Sequence, residues 1–100
     1  MHDSQVLARY KTLLRGQLPF LAQRFRVRSL GIFGSHARQE QREGSDLDVL
    51  VTFEEEPSLL AFIALENHLT DLLGVKVDLV MEDALKPVLG ERILRELVPV

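Results

Sequence analysis

The chain has 100 residues, which fits one small domain, so we expect a single domain over residues 1–100. Its hydrophobic content of 46% argues against disorder, and the absence of cysteine excludes disulfides, thiolate zinc sites and a catalytic thiol. Lys+Arg 12 against Asp+Glu 15 gives a net charge of −3, so we do not expect direct nucleic-acid binding. Neither a membrane-spanning apolar run nor a signal-peptide pattern is found, which predicts a cytoplasmic protein without a membrane partner.

The first segment has the pattern of an amphipathic helix. Pro19 lies inside this segment, and we expect it either to kink the helix or to start a second one. The apolar residues recur at helical spacing, and they are Val6, Leu7, Tyr10, Leu13 and Leu14. A loose basic group lies nearby, and we interpret it as a solvated face in preference to a phosphate or RNA patch: Arg15, Arg24, Arg26 and Arg28.

Two strands enclose the most informative stretch of the chain. The first covers residues 27–33, and the second opens at Asp46 and Asp48. Because strand side chains alternate, the two carboxylates point the same way, while Leu47, Val49 and Val51 point into a core. Two adjacent carboxylates repel each other, and hard oxygen ligands of this kind suit Mg²⁺. The pattern therefore predicts a site for Mg²⁺, in which two ions can hold the attacking and leaving oxygens of a phosphoryl displacement.

A glycine turn follows the first of these strands. Gly34 lets the backbone approach a ligand closely, and Ser35 offers a hydroxyl and a backbone N–H to a phosphate. Arg38 can supply a positive fork for phosphate oxygens. For these groups to meet the aspartates, the two strands must be antiparallel neighbours. His36 lies in the same loop, and we interpret it as a polar loop residue in preference to a general base.

The second half of the chain predicts a helix, a strand and a last helix. The residues from Leu59 to Leu73 are apolar on more than one side of the helix, and Gly74 suits its C-cap. A third strand follows with Val75, Val77, Leu79 and Val80, and it should lie parallel to the second. Pro87 can start the last helix, and Val98 to Val100 can add a short edge strand.

Asp78 interrupts the apolar pattern of the third strand. It alternates with Val77 and Leu79, so it should face the same side of the sheet as the Asp46–Asp48 pair. An aspartate inside an apolar strand is costly unless it is paired or bound to a metal. We therefore favour a third functional carboxylate over one that a lysine or arginine satisfies at the sheet margin.

These motifs together resemble the signature of the minimal nucleotidyltransferases, small members of the DNA polymerase β-like superfamily. The matching residues are Gly34-Ser35, Arg38 and Ser45-Asp46-Leu47-Asp48, and the chain departs from the family at Gln39, where members usually have glycine. The resemblance implies an α+β fold, a small mixed sheet with helices packed on one face. It also implies catalytic and metal-binding roles for Asp46, Asp48 and Asp78, and nucleotide-binding roles for Gly34, Ser35, Arg38 and Ser45.

The resemblance also implies a reaction and a partner. The expected reaction is Mg²⁺-dependent transfer of AMP from ATP to a hydroxyl, and two Mg²⁺ ions are expected. The expected acceptor is a tyrosine of a helical HEPN toxin, for which the minimal nucleotidyltransferase is the antitoxin. One alternative is a non-catalytic antitoxin that neutralises its partner by contact. A further alternative is a nucleotidyltransferase that acts on a small molecule or on an RNA 3′ end.

Overall fold

The computed structural model describes residues 3–100, and within that range helices and strands alternate along the chain. None of the helices in this range combines the length and the apolar character needed to cross a membrane. The helices and strands, in order, are α1 (Asp3–Phe25), β1 (Val27–Phe33), α2 (Gly34–Ala37), β2 (Leu47–Phe53), α3 (Leu59–Leu73), β3 (Val77–Met81), α4 (Pro87–Glu96) and β4 (Val98–Pro99), with a 3₁₀ turn at Glu82–Ala84 before α4.

The four strands form one mixed sheet in the order β3-β2-β1-β4. β1 and β2 are antiparallel neighbours, and β3 lies parallel to β2, as predicted from the sequence. β4 pairs with β1 on the other side, which confirms the expected edge strand. The predicted small mixed α+β sheet is therefore confirmed, and it brings the ends of β1, β2 and β3 together.

Helix α1 is continuous from Asp3 to Phe25 although Pro19 lies inside it. A proline in a helix interior removes one backbone hydrogen bond and usually kinks or ends the helix. Here the segment on each side of Pro19 is anchored in the core, because Leu14 and Leu21 are both fully buried. Tertiary packing on both sides of Pro19 therefore keeps α1 as one helix, although the sequence was also compatible with two helices.

Helix α3 has a cap at each end. The Ser58 side chain accepts a hydrogen bond from the Ala61 N–H at the first turn. Gly74 ends the helix with φ of 70°, in the left-handed region, so the predicted C-cap is confirmed. The next strand begins at Val77, two residues later than the apolar pattern at Val75 suggested.

The main core lies between one face of the sheet and helices α1 and α3. Every second side chain of β1, β2 and β3 points into this core. Helix α3 contributes the side chains that lie along one side of the helix. The buried residues of this core include Ile32, Leu47, Val49, Val51, Val77, Leu79, Leu65 and Leu69.

Helix α4 lies against the opposite face of the sheet, so the expectation that the helices pack on one face is wrong for α4. Phe33 and Leu50 alternate with the residues of the main core and form a second buried cluster with Ile93 of α4. A Cβ on Gly31 would lie 2.6 Å from Leu97 Cδ1, so the backbone of β1 and the end of α4 are in close contact. Helix α4 shields these apolar side chains from water. Only part of this face of the sheet is therefore accessible to a ligand.

Candidate active site

Two of the three predicted aspartates lie side by side in the sheet. Asp48 of β2 is in register with Asp78 of β3, so their side chains share one face. Phe33, at the end of β1, is in register with Asp48 on the other side. Asp46 lies one residue before β2 begins, and its negative charge acts on the Asp48 carboxyl. The sheet therefore places Asp48 and Asp78 side by side next to the turn that follows β1, and Asp46 lies close enough for its charge to act on Asp48.

The carboxyl group of Asp48 is difficult to ionise. Its pKa is raised from 3.8 to about 6, first by burial and then by the negative charges of Asp78 and Asp46. The positive charge of Arg38 acts in the opposite direction. A divalent cation would relieve both the repulsion and the loss of hydration, which is the property expected of a metal ligand.

Asp78 is exposed, because β3 is the outer strand of the sheet. Across residues 3–100, however, no arginine or lysine forms a salt bridge with Asp78. The alternative in which a basic side chain satisfies this carboxylate thus has no support in the structure.

Gly34 sits directly against Asp48. A Cβ at this position would overlap Asp48 Oδ2 and would lie 3.0 Å from Asp48 Cγ, and the backbone φ is +75°. Both the contact and the left-handed backbone require glycine. The glycine that follows β1 is therefore what allows the turn and the carboxylate to share one small space.

The other loop residues have structural contacts as well. The Ser45 hydroxyl accepts a hydrogen bond of 2.9 Å from the Arg42 N–H, which closes the loop before β2. His36 is buried, and its ring lies edge-on to Tyr10 at 5.8 Å between centroids, so the interpretation as a polar loop residue is wrong. Ser35 is half-buried at the start of α2.

The residue after Arg38 has a strained backbone. Gln39 has φ of 56°, in the left-handed region that glycine adopts without cost. The glycine that the family usually has at this position fits this backbone without strain.

Arg38 is held by two carboxylates. Its Nε donates to Glu40 Oε1 at 2.9 Å, and its guanidinium donates to both oxygens of Glu96 at 3.0 and 3.2 Å. Glu96 also accepts a hydrogen bond of 3.1 Å from the Gly34 N–H. Sequence reasoning missed Glu96, because no local motif marks it and 62 positions separate it from Gly34.

The residues present fit divalent cations of the Mg²⁺ class. The donor set consists of carboxylates, which are the hard ligands that Mg²⁺ accepts together with substrate phosphates. Among the described residues, no three acidic or histidine side chains are already drawn together as a closed metal site. An open set of this kind leaves positions for phosphate oxygens.

The fold and this arrangement define a class of protein. A glycine turn beside paired carboxylates, on a small mixed sheet, is the arrangement expected of a nucleotidyltransferase. Residues 14–100 match the family model described as "Nucleotidyltransferase domain", and the chain belongs to this family.

Relatives with assigned names support the same class. The chain is 49% identical over 92 residues to the protein adenylyltransferase MntA of Thermococcus cleftensis, covering 92% of this chain and 93% of that protein. Among solved structures, it is similar to a minimal nucleotidyltransferase at 43% identity and a TM-score of 0.76, with 100% of this chain and 97% of that chain covered.

A more distant solved structure has the same fold. It contains a tri-AMPylated Shewanella oneidensis HEPN toxin in complex with an MNT antitoxin. The match has 21% identity and a TM-score of 0.60, and it covers 97% of this chain and 70% of that chain. At this identity the likeness establishes the common fold.

Proposed function

We propose that the chain transfers AMP from ATP to a hydroxyl group of a protein partner and releases pyrophosphate. The observation that carries this proposal is the pairing of Asp48 with Asp78 beside Gly34. Membership of the nucleotidyltransferase family supports the reaction, and the near full-length match to a protein adenylyltransferase supports a protein acceptor.

In this proposal Asp46, Asp48 and Asp78 would hold two Mg²⁺ ions. Bound Mg²⁺ would neutralise phosphate charge and lower the pKa of the acceptor hydroxyl. Gly34, Ser35 and Ser45 contact the triphosphate, and Arg38 adds positive charge beside it. The acceptor oxygen bonds to the α-phosphorus, the bond from that phosphorus to the bridging oxygen breaks, and the hydroxyl proton leaves to solvent.

The proposed acceptor is a tyrosine of a helical HEPN toxin. The support is the common fold with the antitoxin of a complex in which the HEPN toxin carries AMP. The chain also has exposed apolar side chains at the start of α3, where Leu59 is 74% and Leu60 80% exposed. An apolar surface of this kind favours contact with a protein.

Two arginines that follow α1 do not favour an RNA acceptor. Arg28 donates two hydrogen bonds of 3.1 Å to Glu54, and Arg26 lies 3.9 Å from Glu55. These acidic partners cancel much of the positive charge that an RNA backbone would need. A protein acceptor therefore agrees better with the surface charge than an RNA 3′ end does.

The test is transfer of label from α-³²P-ATP to the product of the neighbouring gene in the presence of Mg²⁺. We expect label on the partner with the wild-type chain and none with Asp46→Ala/Asp48→Ala. Asp83→Ala is the matched control, because Asp83 is an exposed acid on the 3₁₀ turn. Absence of label while the two proteins bind each other would contradict the proposed reaction.

The same variants separate chemistry from contact. If the folded Asp46→Ala/Asp48→Ala variant still neutralises the partner fully, contact alone is sufficient and the non-catalytic antitoxin is correct. The exposed Leu59 and Leu60 are the observation that favours this second candidate. Loss of neutralisation together with loss of label supports the enzyme.

A further inference from the structure

The last residue of α4 reaches into the proposed phosphate site. Glu96 accepts the Gly34 N–H at 3.1 Å and two hydrogen bonds from the Arg38 guanidinium at 3.0 and 3.2 Å. Its side chain is only 21% exposed, whereas that of Arg38 is 44% exposed. The carboxylate is thus an anion that the chain itself places on the two donors proposed for nucleotide phosphate.

A carboxylate and a phosphate cannot share these donors without cost. One backbone N–H directs a single hydrogen toward one acceptor, and two anions near one guanidinium repel each other. The nucleotide must therefore either displace Glu96 from Gly34 and Arg38 or bind with fewer contacts. In both cases the Glu96 carboxylate weakens binding of the phosphates.

We propose that Glu96 is an internal competitor of the nucleotide, which occupies Gly34 and Arg38 until the triphosphate displaces it. Glu96 is then a residue that sets nucleotide affinity. This inference rests on the proposed function, because it takes Gly34 and Arg38 as phosphate-binding groups.

Two contacts argue against a purely supporting role in which Glu96 holds Arg38 in place. Arg38 has a second carboxylate partner, since its Nε donates to Glu40 Oε1 at 2.9 Å. Arg38 therefore remains anchored when Glu96 leaves. The displaced carboxylate also has a partner available, because Arg92 lies four residues earlier on α4 and already interacts with the Glu96 charge.

The test compares the dissociation constants of ATP, measured by titration calorimetry with Mg²⁺ present, for the wild type, Glu96→Gln and Glu96→Ala. We expect Glu96→Ala to bind ATP about three to ten times more tightly, which is the range for loss of a partly exposed ion pair and one competing hydrogen bond. Glu96→Gln should bind ATP more tightly than the wild type by a smaller factor, because its amide oxygen can still accept from the Gly34 N–H. Adenosine has no phosphate, so its affinity should not change. Glu91→Gln, an exposed acid on the same helix that changes net charge equally, should bind ATP as the wild type does.

The outcomes distinguish this inference from the proposed function. If the wild type binds ATP and the Glu96 variants bind it equally or more weakly, the inference is wrong and the proposed function stands. Tighter binding of adenosine as well would also overturn it, because the effect would not act through phosphate. If neither the wild type nor any variant binds ATP, the proposed function fails and the inference fails with it.

Circular dichroism spectra establish that the variants are folded. A second readout is the amide resonance of Gly34 in the wild type, which should shift when tripolyphosphate is added. Glu96→Ala should shift the same resonance before any addition, because the N–H loses its carboxylate acceptor. An unchanged Gly34 resonance in Glu96→Ala would contradict the contact on which the inference rests.

Discussion

Asp48 links the chemistry of the site to the stability of the fold. Its pKa is raised from 3.8 to about 6 by burial and then by Asp78 and Asp46, while Arg38 opposes the rise. The folded chain therefore binds this proton more tightly than the unfolded chain does. The resulting stability is fully present below about pH 4 and is lost as the pH rises through about 6.

Asp48→Asn should remove this pH dependence. With EDTA present, we expect the stability of the wild type relative to Asp48→Asn to fall between pH 4 and pH 8. The fall should be on the order of 1 kcal/mol, after allowance for the solvent screening of a partly exposed group. Thermal unfolding of both proteins across this pH range measures it, with Asp83→Asn as the control. Parallel curves for Asp48→Asn and the wild type would show that Asp48 has an ordinary pKa.

Gly34 should not tolerate a side chain. Gly34→Ala places a Cβ against the Asp48 carboxylate on a backbone with φ of +75°, so we expect a loss of about 1–3 kcal/mol in stability. Gly16→Ala is the matched control, because a Cβ there meets nothing within 4 Å and alanine favours a helix. Denaturant unfolding should show Gly16→Ala about 0.5–1 kcal/mol more stable. Equal effects of the two substitutions would contradict the tight contact.

At the scale of single residues, the sequence predicts contacts between nearby positions better than contacts between distant positions. The shared face of Asp48 and Asp78 follows from strand alternation and parallel pairing, and the need for Gly34 follows from a turn between strands. The contact of Glu96 with Gly34 depends on how α4 crosses the sheet, so no local pattern could reveal it. The burial of His36 likewise depends on Tyr10, from a different helix.

The backbone of strand β3 is hydrogen-bonded to side chains of helix α3. Because β3 is an outer strand, the N–H groups on its free edge have no neighbouring strand whose carbonyl groups could accept their hydrogen bonds. Side chains of α3 take that place, because Thr70 Oγ1 accepts from the Val77 N–H at 3.1 Å and Glu66 Oε2 from the Leu79 N–H at 2.9 Å. Helix α3 thus fixes the strand that carries Asp78 and covers its edge.

The two sides of α3 should respond differently to truncation. Leu69 is fully buried in the main core, so Leu69→Ala should cost about 2–5 kcal/mol. Leu60 is 80% exposed, so Leu60→Ala should change stability by less than about 0.5 kcal/mol. Urea unfolding of both variants measures the difference. A large loss in Leu60→Ala would mean that this side of α3 is part of the fold and is not available to a partner.

The element pattern of the chain was predictable because each strand and most helices have a local signal of their own. The pairing of β1, β2 and β3 followed from the turn and from the strand–helix–strand connection. The position of α4 did not follow, because its apolar residues do not tell which face of the sheet they cover. Continuity of α1 through Pro19 was equally a matter of packing on both sides of the proline.

At the scale of the whole molecule, charge imposes a condition on nucleotide binding. The chain has a net charge of −3, and the candidate site concentrates three of its carboxylates, together with Glu96, close to any phosphate. A triphosphate should therefore bind weakly unless cations compensate the repulsion. Arg38 alone provides too little positive charge for this, since it already interacts with Glu40 and Glu96.

We therefore expect ATP and Mg²⁺ to stabilise the protein together and not separately. A ligand at about 100 times its dissociation constant adds about 2.7 kcal/mol, which should raise the Tm of a domain of this size by about 10 °C or more. Differential scanning calorimetry with ATP and Mg²⁺, ATP and EDTA, and Mg²⁺ alone measures this coupling, and Asp46→Asn/Asp48→Asn should abolish it. An equal rise in Tm with ATP and EDTA would show that nucleotide binds without the metal, and the carboxylates would then need another role.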